Sequence, residues 1–112
     1  CSVKFASKPT VAAACAAIAE WTGEPQVHGL PSAPARPLIL DSSADRPQPR
    51  RDAMAGDGMS VTVGRVREDN IFHLRFVASG HNTIRGAAGG SILNAEVLAA
   101  SGRLSWRPPA RA

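Results

Sequence analysis

Few residues in this 112-residue chain could do chemistry: three histidines, two cysteines and an asparagine that opens a glycine-rich stretch. No two of His28, His73 and His81 have metal-ligand spacing, and no carboxylate cluster accompanies them, so no metal site is expected. His28 falls in a proline-rich loop and His73 on the polar face of a strand, and both read as solvated side chains. His81 stands just before a helix and reads as structural. Cys1 and Cys15 do not make a disulfide framework. Cys15 lies on an apolar helical face, as a small buried hydrophobe does, and this cysteine usage fits a cytoplasmic protein. Asn82 carries an amide that can both donate and accept, and asparagine also caps helices well. Arg85, three residues on, could meet a phosphate or a carboxylate, or could be an ordinary surface arginine.

The charge balance excludes other functions. Net charge is +4 and the sequence pI about 10.0, values that invite a nucleic-acid reading. Yet the arginines are scattered, with only Arg50 and Arg51 adjacent, and no tyrosine or basic stripe interleaved with aromatics offers bases a stacking platform. No nucleic-acid partner is expected. No apolar run reaches the roughly 18 residues of a membrane helix, so no membrane partner is expected either. A hydrophobic content of 44% with 20% charged residues is ordinary for a globular protein.

The elements that must position these residues follow from periodicity. Ser2–Phe5 reads as a short strand end. Thr10 is a plausible N-cap for a helix in which Val11, Ala14, Cys15, Ile18 and Trp21 recur at helical spacing, and Gly23 and Pro25 stop it. Four prolines between residues 25 and 37 exclude a helix there and favour an extended path. Leu38–Leu40 is a short strand. Met59–Arg67 and a period-two run from Phe72 to Ala78 read as two strands of an antiparallel hairpin, joined by a turn at Glu68–Asn70. A second helix follows His81–Thr83, runs to about Ala100 and ends at Gly102. Its apolar residues form two faces, one with Ile84, Ala88, Ile92 and Ala95, the other with Leu93, Val97 and Ala100. A helix apolar on both sides is buried on several sides, and 112 residues supply little to cover both. Gly86, Gly89 and Gly90 cost it about 1 kcal/mol each relative to alanine, which suggests close approach of another backbone or a ligand. The fold class is therefore α+β, a small antiparallel sheet with two main helices. One domain is expected over residues 1–104, with a frayed tail over 105–112.

Four stretches, in order and spacing, carry a resemblance: Gly29-Leu30-Pro31-Ser32-Ala33-Pro34, Arg46-Pro47-Gln48-Pro49-Arg50, Met59 to Arg67, and His81-Asn82-Thr83-Ile84-Arg85-Gly86-Ala87-Ala88-Gly89-Gly90 on to Glu96. Together they resemble the aspartate-semialdehyde dehydrogenases, in particular the archaeal and fungal-like branch. The resemblance implies the C-terminal portion of a glyceraldehyde-3-phosphate-dehydrogenase-like catalytic and dimerisation domain. It implies an activity: NADPH-dependent reduction of L-aspartyl 4-phosphate to L-aspartate 4-semialdehyde, feeding lysine, methionine and threonine synthesis. In the family a cysteine attacks the acyl phosphate, a histidine works as acid and base, and hydride comes from the nicotinamide. Cys1-Ser2-Val3-Lys4-Phe5 matches the strand that follows the family's histidine, so neither catalytic residue is in this chain and Cys1 is not the nucleophile. Nor is the glycine fingerprint of the dinucleotide-binding domain. Asn82, four residues before Gly86-Ala87-Ala88, falls where the family places an amide against the nicotinamide, and is the one cofactor-binding residue expected. The implied partners are an N-terminal nucleotide-binding domain, a small-molecule substrate and a second subunit. A non-catalytic dimerisation or assembly remnant, or the same part of a malonyl-coenzyme A reductase, is the alternative. No chemical role follows for Arg46–Asp52.

Overall fold

The computed structural model describes residues 1–104; the expected tail over 105–112 lies outside the described residues. Strand β1 (Ser2–Val3) leads to helix α1 (Val11–Glu20), a one-turn helix α2 (Glu24–Val27), strand β2 (Leu38–Asp41) and a one-turn helix α3 (Pro49–Asp52). Strands β3 (Val61–Glu68) and β4 (Leu74–Ser79) follow, then a π-helical turn (Ile84–Ala88) that runs directly into α4 (Gly89–Ala100).

α1 forms because it is an alanine-rich run with a cap: the Thr10 hydroxyl accepts a hydrogen bond from the Ala13 amide at 3.1 Å. Ala14, Cys15 and Ile18 turn inward and are half-buried. The proline-rich stretch is not wholly extended, as its composition suggests. Pro25 falls in the first turn of α2, where an amide hydrogen would have no helical partner in any case, so the ring costs nothing. The Gln26 side chain accepts from the Gly23 amide at 3.0 Å and closes this turn.

The sheet has the order β1-β4-β3-β2. β3 and β4 form the expected antiparallel hairpin, but β2 runs parallel to β3, with Leu38 opposite Val61 and Asp41 opposite Gly64. The fold is α+β and the sheet is mixed. A parallel neighbour needs a long crossover, which the stretch between Asp41 and Val61 supplies with α3 in it. One extra residue is accommodated in β3 between Gly64 and Arg67, where Arg65 takes a positive φ of 54°, as in a β-bulge. Gly64 is required beside it: a Cβ there would lie 2.6 Å from the Arg46 carbonyl oxygen and 2.9 Å from that of Asp41. β4 begins at Leu74, so Phe72 belongs to the hairpin loop and is 45% exposed. The loop is held by the Asp69 carboxylate, which accepts from the amides of Ile71 (2.8 Å) and Phe72 (3.1 Å).

The core is small. Among the described residues, Met59, Val63, Leu74 and Leu93 are the buried hydrophobic ones, whereas nine large apolar side chains, among them Phe5, Trp21, Ile92 and Leu98, are exposed. The radius of gyration is 17.5 Å, against about 13 Å for a compact domain of 100 residues. The molecule is elongated and leaves apolar surface uncovered.

Candidate functional site

Three elements converge where β4 hands over to the second helix. Gly80 ends the strand, His81–Thr83 turns the chain, and the π turn opens the helix. The first amide of the turn is satisfied by an imidazole: His81 Nδ1 accepts from the Ile84 amide at 3.1 Å, and lies 3.2 Å from the Thr83 hydroxyl. His81 is therefore structural, and it takes the capping duty that the sequence offered to Asn82. The wide turns are closed by the Gly86 amide donating to the His81 carbonyl (3.1 Å) and the Ala88 amide to that of Thr83 (3.0 Å). Such π turns inside helices occur frequently at functional sites.

Asn82 is exposed, and its amide takes part in no hydrogen bond among the described residues. Its Oδ1 lies beside Gly86, 3.5 Å from where a Cβ on that glycine would sit, and nothing else crowds that side of Gly86 except the His81 carbonyl at 3.8 Å. The geometry gives an uncommitted carboxamide next to an open strip of backbone. A flat, amide-bearing ring is the kind of ligand such a pair can hold, by reciprocal amide hydrogen bonds and by stacking on the peptide plane. Gly89 and Gly90 serve packing instead. A Cβ on Gly89 would come within 2.5 Å of the Met59 sulfur, and one on Gly90 within 2.5 Å of the Arg85 carbonyl oxygen.

Next to this turn is a cleft of about 230 Å³, walled on one side by Pro31–Pro34 and on the other by Met59, Ile84 and Gly89. Glu96 holds the proline wall in place. Its two carboxylate oxygens accept from the Ser32 amide (3.0 Å) and the Ser32 hydroxyl (2.7 Å), bridging 64 residues of sequence with charge-assisted bonds. Nothing in residue type or spacing connects a loop serine to a helical glutamate, so this link is not legible in the sequence. Asn82 is not among the residues that wall this cleft.

Arg85 is exposed and borders a second cleft, of about 330 Å³, with Trp21, Pro37 and Val61; no carboxylate pairs with it among the described residues. His28 is exposed beside Glu24 at 3.7 Å. His73 is not simply solvated: its Nδ1 accepts from the Phe5 amide at 3.1 Å, and its ring stacks on Phe5. Cys15 is half-buried on the sheet-facing side of α1. The backbone of Cys1 pairs with Phe76, as the strand reading of residues 1–5 requires.

The Arg46–Asp52 stretch now has a role, and it is architectural. Asp52 is 3% exposed. The Arg46 guanidinium donates to both its oxygens, Nε at 2.9 Å and Nη2 more closely still, and the Gln48 amide adds a third bond at 2.6 Å. Hydrogen bonds from Arg46 above all, then from the Gln48 backbone, pull the Asp52 carboxyl down to about 2 against the burial that opposes them. Arg46 also faces Asp41 at 3.8 Å at the end of β2. The clamp fixes the crossover whose carbonyl at Arg46 presses on Gly64. No group of three or more potential metal-ligating side chains occurs among the described residues.

Comparison with known proteins places this architecture. Residues 1–85 match the dimerisation domain of semialdehyde dehydrogenases. The chain belongs to the semialdehyde dehydrogenase family. It is 54% identical over 84 residues to the aspartate-semialdehyde dehydrogenase of Methanothermobacter thermautotrophicus, covering 73% of this chain and 24% of that protein. It is 47% identical over 89 residues to the malonyl CoA reductase (NADP) of Metallosphaera sedula, covering 78% of this chain and 25% of that protein. Among solved structures, the aspartate semialdehyde dehydrogenase of Candida albicans crystallised with NADP superposes with a TM-score of 0.80 at 38% identity, over 92% of this chain and 29% of that one. The chain thus spans about a quarter of the length of the relatives it matches.

Proposed function

We propose that this chain is the C-terminal portion of an NADP-dependent aspartate-semialdehyde dehydrogenase, its residues 1–104 forming the C-terminal part of the catalytic and dimerisation domain. The whole enzyme converts L-aspartyl 4-phosphate, NADPH and a proton to L-aspartate 4-semialdehyde, NADP and phosphate. It works in the cytoplasm as a homo-oligomer, with an N-terminal domain holding most of the dinucleotide. The observation that carries this reading is the uncommitted Asn82 carboxamide beside the open Gly86 backbone, on a helix whose cap is supplied by His81. In this reading Asn82 pairs with the carboxamide of the nicotinamide, and the strip at Gly86 lets the ring lie close to the chain. The bound cofactor supplies the hydride. This chain's own share is to orient the ring and to keep its amide satisfied. The attacking cysteine and the acid–base histidine lie outside this chain, the histidine a few residues before Cys1, so the 112 residues alone turn nothing over.

The test is NADP reduction by the longer protein with aspartate semialdehyde and phosphate, set against the reverse assay with malonyl-coenzyme A and NADPH. Turnover with the first pair supports the proposal. Turnover only with the second replaces it by the malonyl-coenzyme A reductase reading, which the 47% identity to such an enzyme keeps in view. No turnover with either favours a non-catalytic dimerisation remnant.

A further inference from the structure

The Ile84 amide opens the second helix, and among the described residues its one acceptor is the His81 ring. Nδ1 accepts from it at 3.1 Å, and no backbone carbonyl does. This bond fixes the state of the imidazole. A backbone N–H only donates, so Nδ1 carries no hydrogen and the ring is neutral, with its hydrogen on Nε2. Helices ordinarily take such a bond from the oxygen of a serine, threonine, asparagine or aspartate. A hydroxyl or carboxamide oxygen keeps its lone pairs at every ordinary pH, whereas imidazole side chains change charge between about pH 5 and 8. The His81 side chain is only half-buried, so a proton from water reaches it.

A second group stands at the same ring nitrogen. The Thr83 hydroxyl lies 3.2 Å from Nδ1, and a hydroxyl can either donate or accept. Nδ1 therefore has two neighbours of different character: an amide that can only give it a hydrogen, and a hydroxyl that can also take one. A proton added to Nδ1 turns the acceptor into a donor. The ring N–H then faces the Ile84 N–H, while the Thr83 oxygen is within its reach. The charged ring would also stand at the positive end of the helix dipole, which disfavours it. Few other charges surround the turn. Among the described residues no ion pair includes His81. The loop at Gly58, which abuts Ile84, carries Asp57, and the turn itself carries Arg85; Met59, which abuts Gly89, and the end of β4 at Ser79 and Gly80 carry no charge.

We infer that His81 is a proton-operated latch on the first turn of the second helix. With the ring neutral, Nδ1 holds the Ile84 amide and the turn is closed. With the ring charged, Nδ1 releases Ile84 and donates to the Thr83 hydroxyl, and the turn opens. The closed state carries no proton on Nδ1, so falling pH opens the latch and rising pH closes it. Ring, amide and hydroxyl all belong to this chain, and the latch does not depend on the function proposed above.

The experiment is a pH titration of the 112-residue chain by nuclear magnetic resonance. Nitrogen shifts of the His81 ring tell which nitrogen carries the hydrogen. Exchange of the Ile84 amide, corrected for the intrinsic pH dependence of amide exchange, reads the bond. At about pH 8 the hydrogen should be on Nε2. As the ring gains its charge toward about pH 5, protection of Ile84 should fall about 2- to 30-fold, the equivalent of a cap of about 0.5–2 kcal/mol at 1.4 kcal/mol per tenfold. His81→Asn keeps a capping oxygen and cannot titrate, so its Ile84 amide should be equally protected across the range. His73, whose Nδ1 accepts from the Phe5 amide, still titrates in that variant and serves as the control. In Thr83→Val the neutral ring should hold Ile84 as before, and the Nδ1 hydrogen of the charged ring should exchange faster with water. A hydrogen on Nδ1 at the alkaline end, protection of Ile84 that does not change with pH, or a fall of equal size in His81→Asn overturns the latch.

Discussion

At the start of the second helix, His81 satisfies the first amide and the Asn82 carboxamide has no partner among the described residues. The cap and the proposed cofactor contact of Asn82 can therefore be measured apart. In the longer protein, Asn82→Ala should raise the dissociation constant of NADP about 2- to 10-fold, the worth of one neutral hydrogen bond. Its melting temperature should stay within the scatter of surface substitutions. His81→Ala should do the opposite, lowering stability by about 1 kcal/mol as the loss of a cap does. An Asn82→Ala protein that binds NADP as well as the parent would remove Asn82 from the site. Asp52 makes a second residue-scale prediction. Its carboxyl titrates near 2 in the folded protein, below the roughly 3.9 of an unfolded chain. The resulting stability is complete above about pH 4 and is lost as pH falls through 2, a difference on the order of 2 kcal/mol. Asp52→Asn should be less stable than the parent at pH 6, by about 3 kcal/mol for a broken buried pair, and the gap should narrow as the pH approaches 2. Urea unfolding at several pH values reads both; a gap that stays constant with pH would mean the pair contributes nothing through its charge.

At the scale of elements, what positions the site is a set of tethers between segments far apart in sequence. The Arg46–Asp52 clamp fixes the crossover, and the crossover packs its Arg46 carbonyl against Gly64. Gly64→Ala must push that backbone away, and should cost about 1–3 kcal/mol, the usual penalty for overpacking. Thermal unfolding measures it, and an unchanged midpoint would show that the crossover yields freely. Glu96 ties α4 to the proline loop through Ser32. Glu96→Ala leaves a half-buried amide without its acceptor, at about 1–3 kcal/mol, and should speed exchange of the Ser32 amide while the amides of β3 are untouched. Equal exchange at Ser32 in the parent and in Glu96→Ala would show that the loop holds its shape without the tether.

The whole molecule is long and thinly cored, and leaves large apolar side chains exposed. The sequence pointed to a helix needing partners on two sides, and the structure shows which side is supplied. Leu93 is buried, and Ile84 and Val97 are half-buried against the body. Ile92 is 55% exposed and Leu98 39%. The face of Leu93 and Val97 is thus the covered one; on the other face Ile92 is uncovered although Ile84 is half-buried, and Leu98, which belongs to neither, is uncovered too. The 112-residue chain alone should bind a hydrophobic dye and associate with itself, and Ile92→Lys with Leu98→Lys should reduce both. Sedimentation as a strict monomer with no dye binding would show that the fold completes itself.

Much of this was legible from residues alone because it rests on interactions local in sequence. A threonine followed by an alanine-rich run makes α1 with its cap. Two runs of alternating polarity around Asp69 make the hairpin. Four short motifs in order were enough to mark the family. Tertiary structure decided whatever depends on residues distant in the chain. The parallel course of β2 follows from where the crossover packs, and its register is set by contacts across the sheet. The burial of Asp52 converts an unassigned motif into a clamp. His81 rather than Asn82 caps the π turn because the imidazole reaches the Ile84 amide, a matter of side-chain geometry that residue type does not reveal. Which face of α4 is covered was equally open, since both faces are apolar and periodicity cannot rank them. Local propensity and pattern write the elements; the packing of far-separated segments determines which of their groups are consumed by the fold, like the Asp52 carboxylate, and which, like the carboxamide of Asn82, stay without a partner among the described residues.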